Sequence, residues 1–197
     1  GSRLYYISTD YVFDGEKGDY TEDDSPNPIN VYGRTKLEAE KAVEDSGLDQ
    51  CIARTCVVYG AKPATGKENF VLWIIKNLKN GKKVDIITDQ MITPTLNTNL
   101  SAMLLEAAEK RIKGIIHMAG ASYLNRFAFT ELVAEEFTLD KRLITPVDMT
   151  EMTWAAERPR NSTLNTTRAH EMLDNKPMEV REALRLLRQE LSEADYY

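Results

Sequence analysis

The chain has 197 residues, 42% of them apolar and 28% charged, with a formal charge of −6 and two cysteines. That length holds one sizeable domain or two small ones, and a mean hydropathy of −0.43 excludes disorder as the main state. The acidic balance argues against a nucleic-acid partner, and the longest apolar run, residues 70–75, is far short of the ~20 that cross a bilayer.

Residues 3–9 (RLYYIST) read as a short buried strand ending in polar residues, followed by an acidic, turn-rich loop over 14–28. Its carboxylates Glu22, Asp23 and Asp24 lack the glycine-centred spacing of a calcium loop and are expected to be solvated. Residues 30–46 are helical in pattern and stop at Gly47, the usual place for a terminating glycine. The run QCIARTCVVY (50–59) is the next strand, closed by Gly60. A helix over 68–80 places Phe70, Val71, Ile74 and Leu78 nearly on one face, and Trp73, set among Val71, Leu72 and Ile74, is expected in the core.

A strand at 84–88 precedes a helix at 99–110 with Leu100, Met103, Leu104 and Ala107 at helical spacing. GIIHM (114–118) is a further strand, then come a helix at 126–137 and a strand at 143–147. A loop follows that holds Trp154, which either packs or lines a ligand site, and Arg158-Pro159. The last helix, 178–193, lines up Val180, Ala183, Leu184, Leu187 and Leu191. Strands alternating with helices of this length mean an α/β protein with a mainly parallel sheet.

Cys51 and Cys56 fall five residues apart on one predicted strand. Five extended residues cover roughly 16 Å, whereas a disulfide bridges Cα atoms at most about 7 Å apart, so the two cannot pair. No metal-ligand spacing is present either: His117 reads as a satisfied core histidine and His170 as a surface one. Thus no metal, no membrane and no nucleic acid are expected, in a reducing, cytoplasmic setting.

Tyr32 and Lys36 form Tyr-x-x-x-Lys at the start of the helix that follows the strand ending in Ser8-Thr9. Residues i and i+4 share a helical face, so a ring and an ammonium there can serve one cleft. A phenol titrates near pH 10, and a fixed positive charge favours its phenolate, which suits acid-base work at neutral pH. A hydroxyl at the C-terminal end of the strand sits where ligands bind in open α/β sheets.

The string STDYVFDGEKGDYTEDDSPNPINVYGRTK (8–36) resembles the extended short-chain dehydrogenase/reductases, and within them the dTDP-4-dehydrorhamnose reductases. RTCVVYG (54–60), NFV (69–71), DQMITPT (89–95), GIIHMAG (114–120), ITPV (144–147) and RPRNSTLNTTR (158–168) agree in order. The resemblance implies reduction of the 4-keto group of a nucleotide-linked deoxysugar by NADPH or NADH, with Thr9, Tyr32 and Lys36 catalytic. It also implies that Ser8, Tyr32 and Lys36 touch the cofactor, and that Asp10, Tyr11, Asn69, Gln90 and Arg158 touch the sugar nucleotide.

The implied architecture is the C-terminal part of a Rossmann-type parallel sheet with a smaller α/β substrate-binding lobe. Residues 3–88 would belong mainly to the first and 89–197 mainly to the second, with a strand near 114–118 returning to the sheet.

Two residues depart from the family pattern: Val57 stands where many members carry a tryptophan, and Ile92 where the pattern has glycine. The Gly-rich turn that cradles a dinucleotide pyrophosphate is not in this sequence. The expectation is therefore a chain lacking about 90 N-terminal residues of the family fold, unable to turn over alone, whose unpaired first strand promotes homo-oligomers. A nucleotide-sugar epimerase and a non-catalytic subunit like the β subunit of methionine adenosyltransferase are the alternatives.

Overall fold

The protein is described as a computed structural model covering residues 3–62 and 68–193. Strand β1 (Leu4–Thr9) runs into a 3-10 turn at Asp10–Val12 that Thr9 caps, its side chain accepting the Tyr11 N–H. Helix α1 (Val31–Asp45) starts at Asn30, whose side-chain oxygen accepts the Gly33 N–H at 2.8 Å. It leads to β2 (Gln50–Thr55) and the two-residue β3 (Val58–Tyr59). Helix α2 (Phe70–Lys79) is followed by β4 (Val84–Ile87), β5 (Met91–Ile92), β6 (Thr95–Leu96) and α3 (Asn97–Glu109). Then come β7 (Gly114–His117), β8 (Leu124–Asn125), α4 (Arg126–Glu136), β9 (Ile144–Val147), α5 (Thr167–Met172) and α6 (Val180–Glu193).

Strands β1, β2 and β7 form a parallel sheet in the order β1-β2-β7, with Thr9 opposite Thr55 and Ser8 opposite Arg54, itself opposite His117. Strand β4 does not join this sheet but pairs in parallel with β9. Two short pairs, β3 with β6 and β5 with β8, stitch the layers together at the ends of the sheet.

Side chains alternate across a strand, and the two faces of β2 show it. Cys51 and Ala53 pack with Leu100 and Met103 of α3, and with Ile116 of β7, in one apolar cluster. Arg54 points the other way, toward α1, where Glu40 meets it. The larger cluster joins Ile74, Phe129 and Val133 to Leu184 and Leu187 of α6, whose apolar stripe is the one its spacing predicts.

Three expectations change. The predicted strand over 50–59 is interrupted, because Val57 takes a left-handed φ of 40° and turns β3 away to pair with β6. Both cysteines are buried and free, with Cys56 past the end of β2. The acidic loop is not simply solvated. The Glu22 side chain is 4% exposed and accepts the His117 N–H, and the loop is tied to the C-terminal segment by Tyr20 N–H to Thr163 O and Asn165 N–H to Tyr20 O. Trp73 is 39% exposed rather than core. On a helix packed along one side, its position falls outside the stripe that Val71, Ile74 and Leu78 bury.

Candidate active site

The end of β1 and the first turn of α1 touch because residue 33 is glycine. A Cβ on Gly33 would stand 2.1 Å from the Tyr11 carbonyl oxygen, so any other residue would push α1 off the Asp10–Val12 turn. With the helix seated there, Thr9 and Tyr32 line one cleft of about 380 Å³ together with Asp10 and Tyr11. Arg126 and Arg158 close its far side, with Val57 and Phe70. Tyr32 is 52% exposed and its ring meets that of Tyr11 edge-on, centroids 6.0 Å apart. A cavity of about 400 Å³ between Ala61, Asn97 and Glu190 is as large but holds none of the expected catalytic groups.

Thr9 is buried; its hydroxyl accepts the Tyr11 N–H at 3.2 Å and lies 3.0 Å from a carboxyl oxygen of Asp10. The other carboxyl oxygen of Asp10 receives the Ser162 hydroxyl at 2.5 Å and the Cys56 thiol at 3.2 Å. Burial raises the Asp10 pKa, opposed by these three hydrogen bonds and by the charge of Arg126. Burial likewise pushes the Cys56 thiol well up, with the Asp10 charge adding to it. The Tyr11 phenol is raised first by burial and then by Asp10.

Lys36 reaches to the sheet, its ammonium donating to the Ile7 carbonyl at 2.9 Å and lying 4.8 Å above the Tyr6 ring. Ser8 does not reach the cleft. Its register puts it beside Arg54 on the face toward α1, where its hydroxyl is buried without a partner. His117, the next in that row, is buried with Nδ1 at 3.2 Å from the Asn165 carbonyl, and burial holds its pKa down at about 3.

Two expected ligand contacts act elsewhere. Asn69 caps α2, accepting the Leu72 N–H at 3.1 Å and donating to Gly60 O at 2.8 Å, so both ends of its amide are used inside the protein. Gln90 is fully buried, donating to Pro159 O at 3.1 Å and accepting from Arg126 Nε at 2.5 Å. It holds Arg126 and the 158–160 segment together and stands behind the cleft.

Arg126 was not foreseen. Its guanidinium lies 5.0 Å from the Phe70 ring, and burial lowers its pKa. A sequence signal for it exists: a cation in the first turn of a helix opposes the helix dipole, so its presence there asks for another purpose. Arg158 stacks 4.3 Å from the Trp154 ring. Both arginines also border an adjoining cleft of about 160 Å³ walled by Phe70, Trp73 and Trp154, which resolves Trp154 toward a lining role. Two guanidiniums backed by aromatic faces make a site for a planar or multiply charged anion.

The model of the RmlD substrate-binding domain matches residues 1–193. The chain belongs to that family. It is 38% identical to a probable low-salt glycan biosynthesis reductase, Agl14, of Haloferax volcanii over 164 residues, which is 82% of this chain and 55% of the relative. It is 34% identical to the methionine adenosyltransferase 2 subunit beta of Bos taurus over 173 residues, 85% of this chain and 52% of that one. The chain thus spans about half the length of the curated relatives it matches. The dTDP-4-dehydrorhamnose reductase of Bacillus anthracis, solved in complex with NADP, superimposes with a TM-score of 0.88 at 28% identity, covering 96% of this chain and 66% of that one. The fold is that of the Rossmann-like extended reductases. Among the described residues, no helix is long and apolar enough to cross a membrane, and no three His, Cys, Asp or Glu side chains cluster as metal ligands.

Proposed function

We propose that this RmlD-family chain carries the catalytic and substrate-holding part of an NAD(P)H-dependent ketoreductase, acting on the 4-keto group of a nucleotide-linked deoxysugar such as dTDP-4-dehydrorhamnose. The observation that carries this reading is one cleft that joins the Tyr32 phenol and the Thr9 hydroxyl to the paired Arg126 and Arg158.

In such a cleft a sugar carbonyl oxygen sits between the two hydroxyls, and Tyr32 gives its proton to the oxygen as negative charge develops there. Lys36, one helical turn on, opposes the charge left on the phenolate. Arg126 and Arg158 neutralise the diphosphate and so orient the sugar. The residues fit a nicotinamide cofactor. An ammonium carries three protons and Lys36 gives one to Ile7, while the Ile7 side chain (46% exposed) and Tyr32 leave the rim of β1 open. Tyr32 and Lys36 would hold the cofactor, which supplies hydride when bound.

The test is reduced-nicotinamide consumption by the full-length protein given dTDP-4-dehydrorhamnose. Tyr32→Phe should lower kcat by about 10²–10⁴-fold. A second reading, a non-catalytic subunit, is favoured by the bovine relative and by Val57 in a place where many reductases carry tryptophan. Absence of turnover together with a stable complex with a methionine adenosyltransferase catalytic subunit would decide for it.

A further inference from the structure

Beside Thr9, in the wall of the cleft, lies a buried carboxyl. Asp10 is 3% exposed, comes directly after Thr9, and gathers donors from three parts of the chain: Thr9 itself, Cys56 beyond β2, and Ser162 from the segment before α5. Its carboxyl makes no ion pair with a lysine or arginine among the described residues; the charge of Arg126 from α4 acts on it, and Tyr11 and Cys56 are titratable neighbours.

Counting protons shows why this matters. A threonine hydroxyl has one proton and two lone pairs. One lone pair of Thr9 takes the Tyr11 N–H. If Asp10 is ionised, the single Thr9 proton must point at Asp10, and Thr9 then offers only a lone pair to a carbonyl oxygen in the cleft. If Asp10 is neutral with its proton on Oδ1, Asp10 donates to Thr9 across the same 3.0 Å, and the Thr9 proton is released toward the cleft. Oδ2 is then a carbonyl oxygen accepting from Ser162 and Cys56, which two lone pairs allow.

We propose that Asp10 is a positioning residue that works as a neutral acid, donating through Oδ1 to Thr9 so that Thr9 can hydrogen-bond the carbonyl oxygen of the substrate. The proposal rests on the ketoreductase reading. Burial, which raises the Asp10 pKa, favours the neutral form. The family resemblance implies that Asp10 touches the sugar; it borders the cleft, and its Oδ1 also lies 3.0 Å from the Thr9 hydroxyl.

Two variants of the full chain separate this from a merely structural role. In Asp10→Asn the amide N–H₂ replaces the Oδ1 hydroxyl as donor to Thr9, and the amide oxygen still accepts from Ser162 and Cys56. Asp10→Leu keeps the branched shape in a larger apolar side chain and removes the donor. Asp10→Leu should lose about 10²–10³-fold in kcat, the cost of one donor to a developing oxyanion, with little change in KM. Asp10→Asn should restore most of that loss and should lack the alkaline limb that Asp10 ionisation adds to the pH profile. In infrared difference spectra of the unsubstituted protein against Asp10→Asn at assay pH, the carbonyl stretch of a protonated carboxylic acid should appear. The proposal is overturned if that band is missing, or if Asp10→Asn is as impaired as Asp10→Leu, because an ionised acceptor would then be what Thr9 needs. If the unsubstituted protein shows no turnover at all, the ketoreductase reading fails, and the infrared band alone decides the state of Asp10.

Discussion

Glu40 is the residue through which the position of the helix bearing Tyr32 and Lys36 can be tested. It lies on α1 eight residues after Tyr32 and four after Lys36, on the same helical face. Both of its oxygens bind Arg54 of β2, Nε to Oε1 at 3.0 Å and Nη2 to Oε2 at 2.7 Å, with both side chains 2% exposed. Glu40→Ala strands a guanidinium whose Nη1 already lacks a partner, in a site that also holds the Phe13 ring 5.2 Å away. Breaking a buried pair on one side costs about 3–5 kcal/mol. For a chain of this size each kcal/mol moves Tm by about 2–4 °C, so Tm should fall by roughly 6–20 °C. Urea unfolding followed by circular dichroism and by fluorescence measures the loss directly. The apolar double substitution Glu40→Leu with Arg54→Met removes the charge instead of orphaning it, and should be far less harmful than the single change. The reasoning fails if Glu40→Ala costs less than about 1 kcal/mol, or if the double substitution costs as much as the single one.

Arg126→Ala and Arg158→Ala should each weaken binding of a nucleoside diphosphate sugar by about 10-fold or more, as a lost charge-assisted contact of 1.5–3 kcal/mol requires, and calorimetry on the full-length protein measures it. Glu106 accepts hydrogen bonds from Lys110 and from the backbone of Asp174 and Asn175, and Lys110 is the first cause holding its pKa at about 2, below its ordinary 4.5. The unfolded chain therefore takes up the proton first as pH falls. The stabilisation is complete above pH 4.5 and is lost between there and about 2, so Glu106→Gln should flatten the acid side of a stability-against-pH curve. Val57→Gly should stabilise the protein by about 1 kcal/mol, since a β-branched residue at a φ of 40° carries strain that glycine does not. Burial lifts the Cys51 thiol to about 11 and raises Cys56, so thiol labelling near pH 8 should be slow in the native state and prompt in denaturant. Finally, β1 has no strand on its outer edge among the described residues, and sedimentation of the 197-residue chain should show self-association; a monomer at every concentration would refute this.

Residues with a local signature were legible from the chain alone. The alternation of strands and helices, the stripe of α6 and the Tyr-x-x-x-Lys helix all follow from spacing, because a period of 3.6 or 2 is written into neighbouring residues. Thr9, Tyr32 and Arg158 were named from motifs and do meet in one cleft. Partners from elsewhere in the chain were not legible: the Asn69 amide donates to Gly60 O, and the Gln90 amide donates to Pro159 O and accepts from Arg126 Nε. The break after β2 was invisible because valine is a strong strand former, yet Val57 takes a φ of 40° just before β3 pairs with β6.

The sequence by itself determined the α/β class, the family and the helix that carries Tyr32 and Lys36, since each rests on contiguous patterns and short-range propensity. Tertiary structure alone decided that Asp10 is hydrogen-bonded to both Thr9 and Ser162, the latter 152 positions away, that Lys36 holds Ile7, and that Arg126 and Arg158 converge. Burial and hydrogen-bond satisfaction are properties of the whole packed chain. A side chain's chemistry is therefore set by neighbours that no local pattern records.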